Sequence, residues 1–454
     1  MRILYVNGAD SGGGAYRQAA DLRDEMIRRG HDVMLAVRVK YSDDADVYTL
    51  GNDRSRNSWA RFWLRSFGLD LENEKVEPHQ FKRRRIAIAI GQPLRTLRVY
   101  QGYEDFSFPG TRTVLERAPR PPDIVHLWNL HAGYFDLRVL PELSRRVPVV
   151  IDLQDNWPFT GHCSYFRDCD RWKTGCKPCK YLNAPPEIRF DRANENWETK
   201  RGLYDRSQYY VKAPSQWTYD RIPDSILSRG MQELRLITNS CDTETFSPGD
   251  KNAARMQLNL PTDAIVLMYA AQSIENSFYK DWPTLRAAMD IIGQKQWSTR
   301  IVFMTVGGNE TVEHRIGNVE MIGLPFVSDR NLLAQHYRAS DVFLHAGIEE
   351  VWGLTMTEAM ACGTPVIASA VGGIPEQVWD GKNGLLVPPR DPAAFARAIE
   401  SLINNQQLRN ELSQAASRIA CDNFSVKLST TKHLEYYEKI LSDRKGAVPS
   451  HVDG

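Results

Sequence analysis

The sequence lacks the features of membrane-spanning and nucleic-acid-binding proteins. No stretch of its 454 residues reaches the roughly 18 consecutive apolar residues that a spanning helix needs. A formal charge of +1 gives no global field, which argues against a protein that grips nucleic acid through a basic face. The chain opens on a strand-like run rather than on a basic and then apolar leader. We therefore expect no signal peptide and a cytoplasmic location.

What is present is the composition of a globular enzyme, with 42% hydrophobic and 25% charged residues. Short apolar runs alternate with amphipathic stretches in two series. The first series comprises RILYVN, DVMLAV, DIVHLW, VPVVIDL and QYYVKAP. The second comprises AIVLMYAA, RIVFMTVGG, VEMIGLP, DVFLHAG, TPVIAS and NGLLVPP. Two such series predict two doubly wound, Rossmann-like α/β domains.

The domain boundaries follow from the polar segment DTETFSPGDKN, whose proline and glycine are typical of a linker. We predict an N-terminal domain over 1–245, with a cysteine-rich insert at 160–182, and a C-terminal domain over 246–424. A last helix over 425–443 is predicted to pack back on the N-terminal domain. The tail 444–454 is expected to be disordered.

The stretch EEVWGLTMTE joins a strand-like run to a helix-like run, and ligands of parallel sheets bind at such junctions. The N–H groups of Gly353, Leu354 and Thr355 would begin the helix and could bind an anion such as a diphosphate. Glu350 and Glu358 would flank that anion and accept hydrogen bonds from hydroxyl groups, as a sugar nucleotide requires. The alternative is a helix cap and a solvent-facing glutamate.

Several further motifs follow in a fixed order, namely EAMACGTPV, GGIPE, and G-NG-LV followed by an aspartate. With the E-x7-E pattern before them, they make residues 235 to 440 resemble retaining glycosyltransferases of family four. That resemblance implies the GT-B fold, with two Rossmann-like domains facing each other across a cleft. It implies transfer of a hexose from a nucleotide-diphosphate sugar to a glycan or lipid-linked acceptor. It also implies a front-face mechanism that needs neither an enzyme nucleophile nor a metal or other cofactor.

The same resemblance implies roles for individual donor-site residues. Glu358 would hold the donor ribose, and Glu350 would contact the donor sugar as a catalytic residue. The loop of Gly372, Gly373 and Ile374 would close over the donor.

The cations of the diphosphate site depart from the family pattern, which usually pairs an arginine with a lysine. The stretch AAQSIENSFYKDWP keeps Lys280, which we expect to stabilise the leaving diphosphate. Gln272, Phe278 and Tyr279 occupy the region where the arginine would stand. Arg286 is a candidate to replace it, and the alternative interpretation of Lys280 is a solvated surface residue.

A glycine-rich turn, NGADSGGGAYRQAADL, follows the first strand-like run. It lacks the lysine of a Walker loop and the third glycine of a dinucleotide fingerprint. Gly12, Gly13 and Gly14 still permit close backbone approach to a ligand. By the resemblance, this loop would face the donor phosphate and the acceptor, whereas the alternative is a flexible turn.

Histidines in DIVHLWNLHAG are candidates for a catalytic role near the sugar or acceptor. Family members often carry a histidine where this chain has Trp128, so the role would pass to His131 or His126, or be absent. A histidine at a strand end is otherwise a hydrogen-bonded structural residue. After the next strand, Asp155 and Trp157 are acceptor-side candidates.

Four of the seven cysteines fall within one short segment. They are Cys163, Cys169, Cys176 and Cys179. In a cytosolic chain such density favours a structural zinc over disulfides or free thiols, and the C-x2-C pair is zinc-like although the C-x5-C pair is looser. The run WPFTG-C-Y resembles that of bacterial exopolysaccharide transferases of the colanic acid type, which also carry such an insert.

Two stretches of the first domain, RFWLRSFGLDL and FKRRRIAIAIGQPLRTLRVY, mix basic and large apolar residues. Such stretches could rest on an anionic membrane, where lipid-linked acceptors reside, which would make the protein peripheral on the inner face. The alternative is a pair of helices that pack on the domain and expose a solvated basic face.

Two other functions compete with sugar transfer. One is different chemistry on the same fold, such as a sugar-nucleotide epimerase or a phosphorylase, and the E-x7-E pattern argues against both. The other is a weak or inactive binding or assembly partner, favoured by the missing arginine and by Trp128.

Overall fold

The computed structural model divides the chain into two compact units. The described residues are 1–71, 80–131, 133–271 and 277–446. One unit comprises Met1–Ile237 and Thr430–Gly454, and the other comprises Thr238–Ser429. Gln272 and most of the predicted tail, residues 447–454, lie outside the described residues.

The first unit alternates strands and helices from its first residue. Its elements are β1 (Arg2–Ala9), α1 (Gly14–Arg28), β2 (Asp32–Val39), β3 (Val47–Thr49), α2 (Ser58–Ser66), α3 (Gln80–Gly91), α4 (Pro93–Tyr100), α5 (Val114–Arg117), β4 (Ile124–Trp128), α6 (Leu140–Arg146), β5 (Val149–Asp152), α7 (Ala193–Tyr204), β6 (Tyr209–Ala213), α8 (Gln216–Tyr219) and β7 (Met231–Leu236). Short 3₁₀ turns punctuate the connections at Pro109–Thr113, Leu137–Val139, Trp157–Phe159, Arg171–Lys173, Ile222–Asp224 and Ile226–Ser228.

The seven strands of the first unit form one parallel sheet in the order β3-β2-β1-β4-β5-β6-β7. Side chains of β1 alternate between two buried cores, with Leu4 and Val6 in one and Ile3 and Tyr5 in the other. The strand order reverses between β1 and β4, so loops that follow these two strands lie at a switch point where ligands of such sheets bind.

The second unit repeats this architecture. Its elements are α9 (Lys251–Gln257), β8 (Ala264–Ala270), α10 (Trp282–Gly293), β9 (Arg300–Gly308), β10 (Val312–Ile316), β11 (Val319–Pro325), α11 (Arg330–Ala339), β12 (Val342–His345), α12 (Leu354–Ala361), β13 (Val366–Ser369), α13 (Ile374–Gln377), β14 (Gly384–Val387), α14 (Pro392–Asn404) and α15 (Gln406–Phe424). The last helix, α16 (Val426–Gly446), begins in this unit and continues into the first, where Tyr437 joins the core around Ile3 and Tyr5.

The sheet of the second unit has the order β10-β11-β9-β8-β12-β13-β14, and only the pair β10 and β11 is antiparallel. The order reverses between β8 and β12, which places a second switch point at the carboxyl ends of these strands. Strand β8 is buried along its whole length. Continuous apolar runs of this kind form the middle of parallel sheets because helices cover both faces.

The boundary between the units lies a few residues before the predicted one. The second unit begins at Thr238 rather than at 246. Cys241 explains the difference, because its side chain packs in the core of the second unit and its N–H donates to the carbonyl of Phe424. The predicted tail from 444 likewise begins inside α16, which runs to Gly446.

Candidate functional site

Lys280 and Glu350 meet at the switch point of the second unit. The segment after β8 pairs with the segment after β12. There the backbones of Lys280 and Gly347 form an isolated antiparallel β-bridge. Nζ of Lys280 lies 2.6 Å from Oε2 of Glu350 and 3.1 Å from Nε2 of His345, the last residue of β12. An ammonium only donates, so Nε2 of His345 accepts this hydrogen bond. These three side chains come from two segments that are 65 or more residues apart, and they form one buried polar cluster.

The charges of this cluster are fixed by its own contacts. Burial alone would raise the pKa of Glu350, but Lys280 and His345 outweigh it and lower that pKa to about 2. Burial would lower the pKa of Lys280, but the Glu350 carboxylate raises it above its ordinary value. Burial and the Lys280 charge lower the pKa of His345. At neutral pH the cluster is therefore an ion pair beside a neutral imidazole.

Glu358 lies in α12, one turn beyond the helix start. Its Oε2 accepts a hydrogen bond of 2.9 Å from the hydroxyl of Tyr337 in α11, and only 5% of the residue is exposed. The Tyr337 hydroxyl therefore holds this buried side chain in one orientation. The interpretation of Glu358 as a solvent-facing helix residue is therefore wrong.

The N-terminus of α12 is tied to a residue that the sequence did not single out. Gly353 is its N-cap, and its N–H donates to Oε1 of Gln377 at 2.9 Å. The Gln377 amide also donates to the Gly353 carbonyl and to the Thr357 hydroxyl. The Gly353 N–H, expected to bind an anion, is thus occupied by Gln377, and anion binding by Leu354 and Thr355 in the first turn stays a prediction.

The loop of Gly372, Gly373 and Ile374 lies directly on Glu350. The Gly373 N–H donates to the Glu350 carbonyl at 2.9 Å, and Ile374 is fully buried. Gly372 has φ +56°, and a Cβ there would stand 1.9 Å from the Glu350 carbonyl oxygen. Only glycine fits this position, so the loop and the backbone of Glu350 are positioned together.

Residues considered as replacements for the missing arginine take other roles. Arg286 lies on the surface of α10, with Nε 3.5 Å from Asp290 and Nη1 3.5 Å from His314. The ring of Tyr279 lies 5.2 Å from Nζ of Lys280, and its carbonyl accepts from the N–H of Ile348. In the described part of this loop, Lys280 is the cation that reaches the switch point.

The switch point of the first unit carries the glycine loop and His131. Gly12, with φ +130°, follows β1, and Gly13 caps α1. After β4, Nδ1 of His131 lies 2.6 Å from Oδ2 of Asp155. Oδ1 of Asp155 accepts from the N–H of Trp157, so the carboxylate orients the imidazole. His131 and Asp155 therefore form one side-chain pair.

This pair predicts a pH dependence. Burial alone would lower the pKa of His131, but Asp155 outweighs it and raises that pKa above 6.5. The contribution of the pair to stability is then full below pH 6.5 and is lost as pH rises through the higher folded-state pKa. We expect His131→Asn to lower the free energy of unfolding by about 1 kcal/mol at pH 6 and by less at pH 8.5. Urea titrations at both pH values measure the free energy of unfolding of the wild type and the variant. An equal loss at pH 6 and pH 8.5 would contradict the predicted pH dependence.

His126 is an interior residue rather than one that faces a ligand. It is fully buried, with Nε2 3.2 Å from Asp152 and Nδ1 bonded to the hydroxyl of Tyr437 in α16. Lys212, also buried, lies 3.3 Å from the same Asp152 carboxylate, and Trp128 stacks on the imidazole. The interpretation of His126 as a catalytic candidate is wrong, because this network holds α16 against the sheet.

Trp157 is also buried, with 3% of the residue exposed. Its ring covers Nζ of Lys200 at 3.4 Å, and its Nε1–H donates to Glu104. Lys200 in turn donates to the carbonyls of Trp157 and Thr160. Trp157 therefore supports the loop that carries Asp155.

Part of the second unit matches one known protein family in sequence. Residues 254–419 match the family of glycosyl transferases group 1. This match includes Lys280, Glu350, Glu358 and the loop at Gly372.

Curated relatives match the chain over part of their length. The D-inositol 3-phosphate glycosyltransferase 2 of Catenulispora acidiphila is 35% identical over 180 residues, which is 37% of this chain and 42% of the relative. That of Saccharomonospora viridis is 32% identical over 242 residues, 50% of this chain and 53% of the relative. The chain thus spans about half or less of the curated relatives it matches.

Solved structures share the fold over nearly the whole chain. A sucrose-phosphate synthase from Thermosynechococcus elongatus has a TM-score of 0.63 at 18% identity and covers 98% of this chain and 100% of its own. Anabaena Alr3699/HepE in complex with UDP-glucose has a TM-score of 0.59 at 19% identity, covering 97% and 100%. The predicted α/β fold of the GT-B class, with two Rossmann-like domains, is confirmed.

The structure gathers the four clustered cysteines around one small cavity in the first unit. The cavity, of about 20 Å³, is lined by all four together with His162. Nε2 of His162 lies 3.3 Å from Sγ of Cys179, and Sγ of Cys176 accepts from the N–H of Gly161. Across the part of the chain that the structure describes, no three His, Cys, Asp or Glu side chains are arranged to hold a metal ion. Burial raises the pKa of Cys176 to about 12, so its thiol is neutral.

Three polar residues of the matched region were not predicted from the sequence. They are His345, Tyr337 and Gln377. His345 carried a usable signal, because a histidine ends the strand at the switch point. Tyr337 and Gln377 carried none, since each reaches its partner across 20 or more residues.

Proposed function

We propose that this protein transfers a sugar from a nucleotide-diphosphate sugar to a glycan or lipid-linked acceptor, with retention at the anomeric carbon. One observation supports this most strongly. The buried cluster of Lys280, Glu350 and His345 stands at the switch point of the unit whose sequence matches glycosyl transferases group 1. Parallel sheets bind ligands at that position, and a charged lysine suits a diphosphate.

Each group of the cluster has a role in the proposed reaction. An ammonium has three N–H donors, and Glu350 and His345 take two of those of Lys280. The third can be donated to a diphosphate oxygen, where negative charge grows as the leaving group departs. Glu350 contacts hydroxyls of the transferred sugar, and Glu358, held by Tyr337, accepts from the donor ribose.

The reaction needs no nucleophile from the chain. The bond from the anomeric carbon to the diphosphate oxygen breaks, and a bond to the acceptor oxygen forms on the same face. The acceptor proton passes to the departing diphosphate. In this proposal the glycine loop of the first unit faces the donor phosphate and the acceptor, His131 acts near the sugar or acceptor, and Asp155 is an acceptor-side group.

A product assay tests the proposal. The protein is incubated with UDP-, ADP- and GDP-sugars, and release of each nucleoside diphosphate is measured with and without acceptors. Glycan, lipid-linked and inositol phosphate acceptors form separate arms, the last because the curated relatives are named for it. NMR of the product gives the anomeric configuration. An inverted product would overturn retention, and no turnover with any donor and acceptor would overturn the function.

The alternatives have less support. The matched family and the curated relatives carry the name of glycosyltransferases, not of epimerases. An inactive partner would not need a buried ion pair beside a third polar group, since such an arrangement costs desolvation. An epimerised donor without sugar transfer would favour the epimerase.

We also propose that Cys163, Cys169, Cys176 and Cys179 bind one structural zinc ion, which would draw the four thiols inward as thiolates. Four thiols around one small cavity support this. Metal analysis of the purified protein is expected to give about one zinc ion per chain, lost in Cys176→Ser and kept in Cys421→Ser, whose cysteine is exposed in the other unit. Equal zinc in wild type and Cys176→Ser would contradict the site, and absence of zinc would leave free thiols.

A further inference from the structure

Helices α2, α3 and α4 of the first unit expose an unusual number of large apolar side chains. Nine of those exposed among the described residues fall in this short region of the chain. They are Trp59, Phe62, Phe81, Ile86, Ile90, Leu94, Leu97, Val99 and Tyr100. Together they form the α2–α4 surface. Leu94 alone is 78% exposed. Single exposed apolar residues are normal, whereas a group of them in one region indicates an interaction surface.

The exposure of these side chains does not result from incomplete packing between the helices. The inner faces of α2 and α3 already pack on each other through Leu64, Ala87 and Ile88. The two helices cross so closely that a Cβ on Gly91 would stand 2.7 Å from Cα of Ala60. The second half of α3 therefore carries buried apolar residues on its inner side and exposed ones, Ile86 and Ile90, on its outer side.

The exposed residues are ordered along each helix. Trp59 and Phe62 lie one turn apart with their rings stacked at 5.8 Å and 15°. Ile86 and Ile90 are spaced by four residues and Leu94 and Leu97 by three, so each pair shares a helix face. Such spacing presents a short apolar ridge on each helix.

The region around Tyr100 extends this apolar surface. Phe190, itself 49% exposed, meets the Tyr100 ring at 5.8 Å. The guanidinium of Arg189 lies 4.5 Å above the same ring. Apolar and basic groups are therefore neighbours at this end of the surface.

The three helices that carry this surface contain basic residues and no acidic ones. Residues 80–100 contain six basic residues and no acidic one. Arg84 and Arg95 pair with Asp53 and Asp105. The other four basic residues are exposed between the apolar ones. They are Lys82, Arg83, Arg85 and Arg98.

We infer that the α2–α4 surface docks on an anionic lipid bilayer, with its apolar side chains in the interface and its basic side chains on the headgroups. Aromatic and aliphatic residues interleaved with Lys and Arg suit this environment, because area burial and headgroup attraction add together. The proposed attachment is peripheral, and none of the described helices is both long and apolar enough to cross a membrane. This inference is independent of the proposed sugar transfer.

Vesicle flotation of the full chain tests the inference. Vesicles are made of phosphatidylcholine alone or with phosphatidylglycerol added. We expect the wild type to float with the anionic vesicles and much less with the neutral ones. The variant Leu94→Glu/Leu97→Glu is expected to lose at least tenfold in partitioning, because it places two carboxylates at the interface. Both leucines are exposed, so the fold is expected to be kept.

The matched control is Met256→Glu, which adds a carboxylate at a 66% exposed apolar residue of the other unit and is expected to float like the wild type. Equal flotation of the double variant, or wild-type protein that floats with neither vesicle, would overturn the inference. So would light scattering that shows a wild-type dimer and a monomeric double variant without vesicle binding, because the surface would then belong to a second copy.

Discussion

Lys280→Ala is expected to lower kcat for sugar transfer by about 100- to 1,000-fold, the usual loss when one fixed donor to a developing charge is removed. Lys280 reaches the switch point from the loop after β8, and its third N–H is the one proposed for the diphosphate. Glu350→Gln is expected to lose activity to a similar degree, because a neutral amide no longer fixes the ammonium at 2.6 Å. Steady-state kinetics on a donor found active for the wild type measures both.

The protein offers a matched control for this pair. Nζ of Lys295 lies 2.6 Å from Oε2 of Glu400, the same separation, but the two side chains are 42% and 34% exposed. Lys295→Ala is expected to keep full activity and to change the free energy of unfolding by about 1 kcal/mol or less. A folded Lys280→Ala variant with the kcat of the wild type would contradict the assignment of the diphosphate site.

The variants at the buried pair are also expected to lose stability. The side chains of Lys280 and Glu350 are only 13% and 10% exposed. Removing one partner leaves a buried charge unpaired, which costs about 3 to 5 kcal/mol. Because the pKa of Glu350 is lowered from 4.5 to about 2, the stabilisation is full above pH 4.5 and is lost as pH falls toward 2. Activity should therefore be compared well below the melting temperature of each variant.

Gly372→Ala is expected to have the second largest effect on the activity of the protein. Its φ of +56° disfavours any side chain, and the added Cβ would stand 1.9 Å from the Glu350 carbonyl oxygen. The backbone of Glu350 must then move, and a displacement of about 1 Å at a reacting site can cost roughly 100-fold in rate. We expect kcat/KM to fall by about that factor.

Gly381→Ala separates this effect from backbone strain alone. Gly381 has φ +70°, but a Cβ there would meet nothing within 4 Å. Both variants therefore carry the left-handed penalty of about 1 to 2 kcal/mol, and only Gly372→Ala carries the clash. If both lost the same fraction of activity, the contact with Glu350 would not be the cause.

Much of the fold could be predicted, because the central strands are buried on both faces and appear as continuous apolar runs. Three strands escaped prediction. Strand β3 has three residues, β7 is half-exposed along most of its length, and β10 is exposed at the sheet edge except for its last residue. Such strands have no apolar run, since pairing with a neighbour defines them more than burial does.

The candidate site was predictable where chemistry and topology coincide. Lys280 and Glu350 follow the two strands that flank the switch point, so the strand pattern and the E-x7-E motif indicated the same location. His126 was considered a ligand-facing candidate although the predicted strand DIVHLW already ended at Trp128, as β4 does, and a residue two positions inside a buried strand lies in the core. The role of Gln377 could not be predicted, since its three hydrogen bonds depend on the tertiary fold.

A thermal-shift screen of nucleoside diphosphates and their sugars tests the central claim most directly, because a ligand that binds only the folded protein raises its melting temperature. At about 100 times the dissociation constant, we expect one nucleotide series to raise the melting temperature by roughly 5 to 10 °C. We expect Glu358→Gln to reduce that shift sharply and Lys295→Ala to preserve it. No shift with any nucleoside diphosphate or its sugars would contradict a sugar-nucleotide site at the β8 and β12 switch point.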